Sequence, residues 1–134
     1  MIVTKGTSAS NVGNGTYLSN PLRLYVGQHV ELSWGEESVS TIEINLASVT
    51  NKSSLSTISS LTGGTISING DVATITVSEG ASKVEFDIVK NGDFKQCHIS
   101  SIVFKMQSYK KDIKQPCFCE RNIIFMHFYR IYSH

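Results

Sequence analysis

The chain has 134 residues, 40% of them apolar and 17% charged, and its formal net charge is +1. This length is enough for one domain with its own hydrophobic core, and so small a charge gives no field that would attract nucleic acid. No apolar run approaches the roughly 20 residues that span a bilayer, and the first residues lack the apolar region of a signal peptide, so we expect neither within this chain.

The N-terminal part predicts a surface loop followed by a short strand. Residues 5–20 are rich in Gly, Ser, Asn and Thr, a composition typical of irregular loops. Pro21 then precedes the segment LRLYVG, and proline is tolerated at the start of a strand or at a sheet edge. Within that strand Leu22 and Leu24 would form the buried face.

Two alternating apolar segments follow and predict a first β-hairpin. Val30, Leu32 and Trp34 lie at every second position, which places Trp34 in the core with the other two. Residues 35–38 would form the turn, and a second alternating segment covers residues 42–46.

Asn69-Gly70 predicts a second hairpin, because this dipeptide favours a tight turn. A two-residue loop would pair Ile66 with Ala73 and turn Ile75 inward, whereas a three-residue loop would exchange the two faces of the strand. We prefer the two-residue loop, since it buries more apolar surface. Between the first and second hairpins, residues 51–61 fit either one short helical turn or a Ser-rich loop.

Asn91-Gly92 predicts a third hairpin within residues 83–106. Its register would pair Phe86 with Cys97 and turn both side chains toward the core. The apolar phase of the returning strand then slips by one position at Ser100-Ser101. A β-bulge accounts for this slip, because one extra residue restores the inward face.

Seven to eight short strands with closely spaced turn signals predict an all-β fold, an antiparallel β-sandwich of jelly-roll type, over residues 1–106. Residues 107–134 differ in composition, with a net charge of +3 against −2 for the rest and six of the twelve aromatic residues. This atypical tail would be helical or disordered. We prefer a poorly ordered segment that was never selected for this fold, and we expect no membrane contact by it.

Several stretches resemble an all-β accessory domain that is widespread in secreted and surface proteins of gut bacteria. They are IVTKGTSASNVGNG, NPLRLYVGQHVEL, STIEINL, GGTISINGDVATITVSEGASKVEFDIV and HISSIVFKM. The Asn-Pro-x-Arg-x-Tyr strand at residues 20–25 and the Ile-x-Ser-Ile strand at residues 99–102 fit two strands that are usual in such domains. The resemblance implies a non-catalytic jelly-roll module that is extracellular or on the cell surface. It also implies one or two strands before Ile2, which this chain would lack.

One group of residues suggests glycan binding. Arg23 and Tyr25 share the face of their strand opposite Leu22 and Leu24, near Tyr17, and sugar rings stack on exposed aromatic side chains. We therefore predict Tyr17, Arg23 and Tyr25 as ligand-binding residues. The alternative, which we prefer for Tyr25 itself, is that it packs half-buried with Arg23 stacked on it.

Metal and catalytic sites are not indicated. Cys117 and Cys119 form a Cys-x-Cys pair near two histidines, His127 and His134, but structural zinc sites use two pairs at wider spacing. Cys97 is next to a histidine, yet adjacent strand residues point to opposite faces and cannot form a catalytic pair. No hydrolase or phosphate-loop motif is present.

These observations predict a non-catalytic accessory or binding module of a larger secreted or surface protein, without cofactor or metal, whose ligand would be a carbohydrate. The alternative is a structural spacer or adhesion module that binds no small molecule. A small hydrolase is a third interpretation without a motif to support it. The sequence leaves the oligomeric state open.

Overall fold

The computed structural model describes residues 1–8, 21–47, 52–108, 119–126 and 132–133. Two β-sheets pack face to face, which confirms the predicted all-β sandwich. The strands are β1 (Ile2–Thr4), β2 (Leu22–Tyr25), β3 (His29–Ser33), β4 (Val39–Leu46), β5 (Ile58–Thr62), β6 (Gly64–Asn69), β7 (Val72–Val77), β8 (Lys83–Ile88), β9 (Gln96–Ser108), β10 (Cys119–Met126) and β11 (Tyr132–Ser133).

The chain crosses repeatedly between the two sheets, as expected for a jelly-roll-like sandwich. Sheet A has the strand order β11-β1-β3-β8-β5, and sheet B has the order β10-β9-β4-β7-β6. β2 also belongs to sheet B, where it pairs with the N-terminal part of β9. Among the described strand pairs, only β1 and β11 run parallel.

The core lies between the sheets and is formed by the inward positions of both. Alternation along β2, β3 and β8 places every second side chain in the interior, as the sequence pattern predicts. The largest fully buried side chains include Phe86, Leu22, Leu24, Leu32, Ile42, Ile44 and Ile75.

The first and third predicted hairpins are wrong, because their strands lie in different sheets. β3 pairs with β1 and β8 in sheet A, whereas β4 pairs with β7 and β9 in sheet B. Phe86 lies opposite Val30 rather than Cys97, and Cys97 lies opposite Leu24. Both side chains still point into the core. Two strands that face each other across a sandwich show the same inward alternation as two hairpin strands, so periodicity alone does not distinguish them.

Asn91-Gly92 nevertheless forms a turn within the connection from β8 to β9. The backbone amide of Phe94 donates to the Asn91 carbonyl oxygen at 2.9 Å, and the Asn91 amide donates to the Phe94 carbonyl oxygen at 3.0 Å. Gly92 has a φ of 59°, a conformation that glycine adopts without strain. The turn therefore serves a crossing between sheets instead of a hairpin.

The second predicted hairpin is present, but in a shifted register. β6 and β7 pair with Ile66 opposite Ile75 and Asn69 opposite Val72, so the two loop residues are Gly70 and Asp71. The shift from the expected register is two residues, which leaves the same face inward. Glycine at the first loop position, with a φ of 60°, is what a type II′ turn requires.

One expectation is confirmed in part and another in full. For residues 51–61 the structure has a single 3₁₀ turn over Leu55–Thr57, with Ser54 as its N-cap, but Ile58–Thr62 forms strand β5, which neither the helical turn nor the loop predicted. The register of β9 against β4 shifts between Asn45 and Leu46, which lie opposite Ser101 and Ile99, so Ser100 is the extra residue of a β-bulge. Hydrogen bonds hold the bulge, because the Ser100 hydroxyl donates to the Asn45 carbonyl oxygen at 3.1 Å.

The C-terminal tail differs from the helical alternative where it is described. β9 continues to Ser108, and Cys119–Met126 forms β10, which pairs antiparallel with the C-terminal part of β9. Residues 132–133 pair with β1. The free edge of β9 offers unpaired backbone groups that a following segment can satisfy, which accounts for a strand at this place. The boundary at residue 106 stays a prediction.

Candidate functional site

The predicted ligand-binding residues lie on the outer face of sheet B, as far as the structure describes them. Arg23 and Tyr25 are half-buried on β2, opposite His98 and Gln96 of β9. Both residues already interact with other groups of the chain. This fits the packed interpretation of Tyr25, and Tyr17 lies outside the described residues.

His98 lies buried opposite Arg23, where β2 pairs with β9. Only 4% of the residue is exposed, and its Nε2 lies 2.6 Å from Oε1 of Gln96. Burial lowers the pKa of His98 below its ordinary value, and the positive charge of Arg23 lowers it further. The patch around Arg23 is therefore a packed cluster of half-buried and buried polar side chains, and it offers a ligand little open apolar surface.

A cleft at the opposite end of the sandwich has the features of a binding site. β3 begins at the end of the sandwich where Tyr25 lies and continues for five residues, a span of roughly 17 Å. Trp34 follows directly after β3 and therefore lies at the other end. The indole packs against Phe104, with ring centroids 6.3 Å apart and planes inclined by 64°. The cleft, which we call the Trp34 cleft, has a volume of about 480 Å³ and is lined by Ser33, Trp34, Gly35, Glu36, Glu37, Phe104 and Met106.

A larger depression of about 970 Å³ adjoins the Trp34 cleft and shares Trp34, Glu36 and Glu37 with it. Its walls are the connection from β3 to β4 and the connection from β7 to β8, and the second of these contributes Glu79. The described lining of both cavities thus holds three carboxylates and no Lys, Arg or His. Glu36, Glu37 and Glu79 give the two adjoining cavities a negative formal charge.

The sequence pattern predicts Trp34 as a core residue and residues 35–38 as a turn, not as parts of a cleft. Phe104 and Met106 are buried core residues of β9 that also line the cleft. Trp34 packs against the core, as predicted, but it is only partly buried and also lines both cavities. The available signal was the single tryptophan of the chain followed at once by Gly-Glu-Glu, an aromatic residue next to carboxylates in a loop.

The outer face of sheet A carries a cluster of charged side chains around His29. Nδ1 of His29 lies 2.7 Å from Oδ1 of Asp87, and Nε2 lies 3.2 Å from Oε1 of Glu85. Lys83 lies 3.8 Å from Glu85 and 3.9 Å from Glu31. The hydrogen bond to Asp87, which outweighs the cost of desolvation, and the contact with Glu85 raise the pKa of His29 above its ordinary value.

This cluster predicts a pH-dependent contribution to stability. A histidine with a raised pKa in the folded state stabilises the fold fully below its unfolded pKa of about 6.5, and the stabilisation is lost as the pH rises through the folded value. We therefore expect wild type to exceed His29→Gln in free energy of unfolding by more at pH 5.5 than at pH 8.5, in urea titrations.

The same comparison contains its own control. His98 has a lowered pKa, which acts in the opposite sense, but it is present in both proteins and cancels in the difference. The His29 side chain is 36% exposed, so solvent screens its ion pairs and the effect is small. A wild-type advantage that grew toward pH 8.5 would contradict this assignment.

The structure gives no support to a thiol nucleophile or a metal site among the described residues. Cys97 is buried, and burial raises the pKa of its thiol to about 12, against a weaker opposing hydrogen bond with Thr57. No group of three or more His, Cys, Asp and Glu side chains in the described residues could hold a metal ion. Cys117, His127 and His134 lie outside them.

No family model, curated protein or solved structure matches this chain. Within the described residues, no helix has the length and apolar character needed to cross a membrane.

Proposed function

We propose that this chain is a non-catalytic binding module that binds a carbohydrate without acidic groups in the Trp34 cleft. The observation that supports this most directly is a partly exposed indole held in place by Phe104 and bordered by Glu36 and Glu37. An extracellular or cell-surface position in a larger protein, implied by the resemblance, belongs to the same proposal.

The chemistry of the cleft fits a sugar ring. The C–H face of a pyranose is apolar and can cover an aromatic ring, and the edge-on packing on Phe104 fixes the indole before a ligand arrives. Carboxylates accept hydrogen bonds from sugar hydroxyl groups, and charge-assisted bonds are the stronger ones. Orientation by a few polar groups over an apolar floor is the usual design of a small-molecule site.

The charge of the cleft restricts the ligand. Glu36 and Glu37 in the cleft, together with Glu79 in the adjoining depression, would repel a uronic acid or a sialic acid, and no cation in the described lining of either cavity offsets them. Neutral sugars and amine-bearing sugars meet no such repulsion, and an ammonium group would gain from the carboxylates and from the face of Trp34. We therefore place amine-bearing and neutral glycans ahead of acidic ones.

A glycan panel with neutral, amine-bearing and acidic members tests the proposal. We expect saturable binding of a neutral or amine-bearing member, and an increase in Kd of about tenfold for Trp34→Ala, the size of one aromatic contact. Because Trp34 also packs on the core, a second variant, Glu36→Gln with Glu37→Gln, removes the charge without a cavity. It should reduce the preference for amine-bearing over neutral sugars.

Tyr25→Ala is the matched control, since it removes an aromatic side chain at the other end of the sandwich. It should leave the Kd unchanged. Loss of binding in Tyr25→Ala alone would move the site to the surface predicted from the sequence. Preference for acidic glycans would contradict the charge argument, and silence across the panel would favour the structural spacer or adhesion module.

A further inference from the structure

One segment without charged side chains supplies two sheet edges on the same side of the sandwich. The eighteen residues 53–70 contain no Asp, Glu, Lys, Arg or His. They include β5, the last strand of sheet A, and β6, the last strand of sheet B. A sheet edge presents unpaired backbone N–H and C=O groups, and proteins usually protect such edges with charges, proline or bulges.

β5 carries one of these protections. Its register against β8 shifts between Ser59 and Thr62. Ser60, within that shift, has a φ of 54°, the only positive φ of a non-glycine residue among those described. A bulge of this kind twists the edge and interrupts the regular row of hydrogen-bonding groups. β5 is therefore a poor template for another strand.

β6 has none of these protections. It pairs with β7 at six consecutive positions without a register shift, and it contains neither proline nor a charged residue. Four of its six residues are exposed, and the described residues place no strand on its outer side. Among them is Ile68, 44% exposed and one of two exposed large apolar side chains in the described part of the chain.

We propose that the β6 edge pairs antiparallel with the β6 edge of a second copy of this chain, centred on Ser67. A two-fold axis perpendicular to the sheet keeps every side chain on its own face, so the pairing must be centred on a residue. Centred on Ser67, it places Ile66 opposite the partner's Ile68 and Thr65 opposite the partner's Asn69. The two-fold axis repeats the Ile66–Ile68 contact on its other side, so the exposed Ile68 is covered in both copies.

The sequence of β6 favours this partner over an unrelated strand. The pairing is complementary to itself on both faces, with β-branched apolar pairs on the inner face and short polar side chains on the outer face. Centring on Ile66 would instead place Gly64 opposite the partner's Ile68 and replace the two Ile66–Ile68 contacts by a single Ile66–Ile66 contact. A pairing of five residues is small beside the roughly 1,200–2,000 Å² of a stable complex, so we expect a dimer that dissociates on dilution.

Sedimentation velocity of the full chain over a range of concentrations tests the proposal. Wild type should shift from monomer to dimer as its concentration rises, and Ser67→Lys should remain a monomer, because it places two lysines opposite each other at the centre. Thr62→Lys is the matched control: it adds the same charge at an exposed position of the β5 edge. It should associate like wild type.

A cross-linking measurement checks the register. In a chain with Cys117→Ser and Cys119→Ser, oxidation of Ser67→Cys should give a covalent dimer, because residue 67 lies opposite itself. A disulfide needs Cα atoms within about 4.4–6.8 Å. Thr65→Cys should not cross-link, since its counterpart would lie four residues away along the strand, roughly 13 Å.

Each of three results would overturn the proposal. If wild type stays monomeric at high concentration, β6 does not pair with a second copy, and a partner strand would have to come from another protein. Dimers that persist in Ser67→Lys place the contact elsewhere on the molecule. Equal cross-linking of the two cysteine variants rules out pairing centred on Ser67.

Discussion

Replacing Phe86 by alanine is expected to lower the free energy of unfolding by about 3–5 kcal/mol, the range for a fully buried phenylalanine. Phe86 is 0% exposed and lies at the centre of β8, opposite Val30 of β3. Alanine would leave a cavity between the two sheets. The neighbouring side chains are held on paired strands, so they cannot move inward to fill it. The total free energy of unfolding of such a domain is only about 5–15 kcal/mol, so this loss is a large part of it.

Urea unfolding followed by far-UV circular dichroism measures this loss. The control is Val89→Ala on the same segment, where the side chain is 38% exposed, and we expect a change within about 0.5 kcal/mol. Equal effects of the two substitutions would show that β8 does not form the centre of the core. A shared m-value is needed for the comparison, because a changed m-value indicates a changed unfolded or native state.

The burial of Phe86 is also the kind of feature that the sequence predicts well. A strand with one buried face must alternate, so the inward positions of β2, β3 and β8 follow from composition at every second residue. The same logic located the bulge of β9, since an apolar phase that slips at Ser100 needs an extra residue to recover. In these cases the alternation of apolar residues along one strand is enough to predict which of its side chains point inward.

The partners of the strands did not follow from the sequence, because connections of every length cross between the sheets. The connection from β6 to β7 has two residues and joins neighbouring strands of sheet B. The single residue Gly63 instead joins β5 of sheet A to β6 of sheet B, and the connections from β3 to β4 and from β8 to β9, of five and seven residues, also cross. Loop length therefore does not distinguish a hairpin from a crossing, and packing of the whole core decides between them.

The candidate site was less predictable than the fold. The alternation of β2 correctly placed Arg23 and Tyr25 on the outer face, but burial by His98 depends on pairing with β9, which the sequence did not reveal. The Trp34 cleft needs Phe104 from a strand seventy residues away. The carboxylates of the cleft and of the adjoining depression come from two different connections that meet only after the sheets have packed. A surface assembled from distant loops leaves no local pattern in a sequence.

Gly63→Ala is expected to cost about 2–5 kcal/mol, the second large effect. Gly63 joins β5 to β6 with a φ of 85°, and an added Cβ would lie 2.3 Å from the carbonyl oxygen of Lys83. The left-handed conformation alone costs an L-residue about 1–2 kcal/mol, and overpacking against backbone adds about 1–3 kcal/mol. Urea unfolding again gives the difference from wild type.

Gly80→Ala separates these two costs. Gly80 has a φ of 76°, and its Cβ would meet no atom within 4 Å, so only the conformational cost of about 1–2 kcal/mol should appear. If the two variants lose the same stability, the backbone of β8 yields to the new methyl group and the junction is soft. If Gly63→Ala loses more stability, the junction is rigid. The structure offers a reason for such rigidity, since the carbonyl oxygen of Gly63 accepts a hydrogen bond from the Ser78 amide at 2.9 Å. A rigid junction fixes the start of β6, and the pairing edge proposed above then enters the dimer already in its bound conformation.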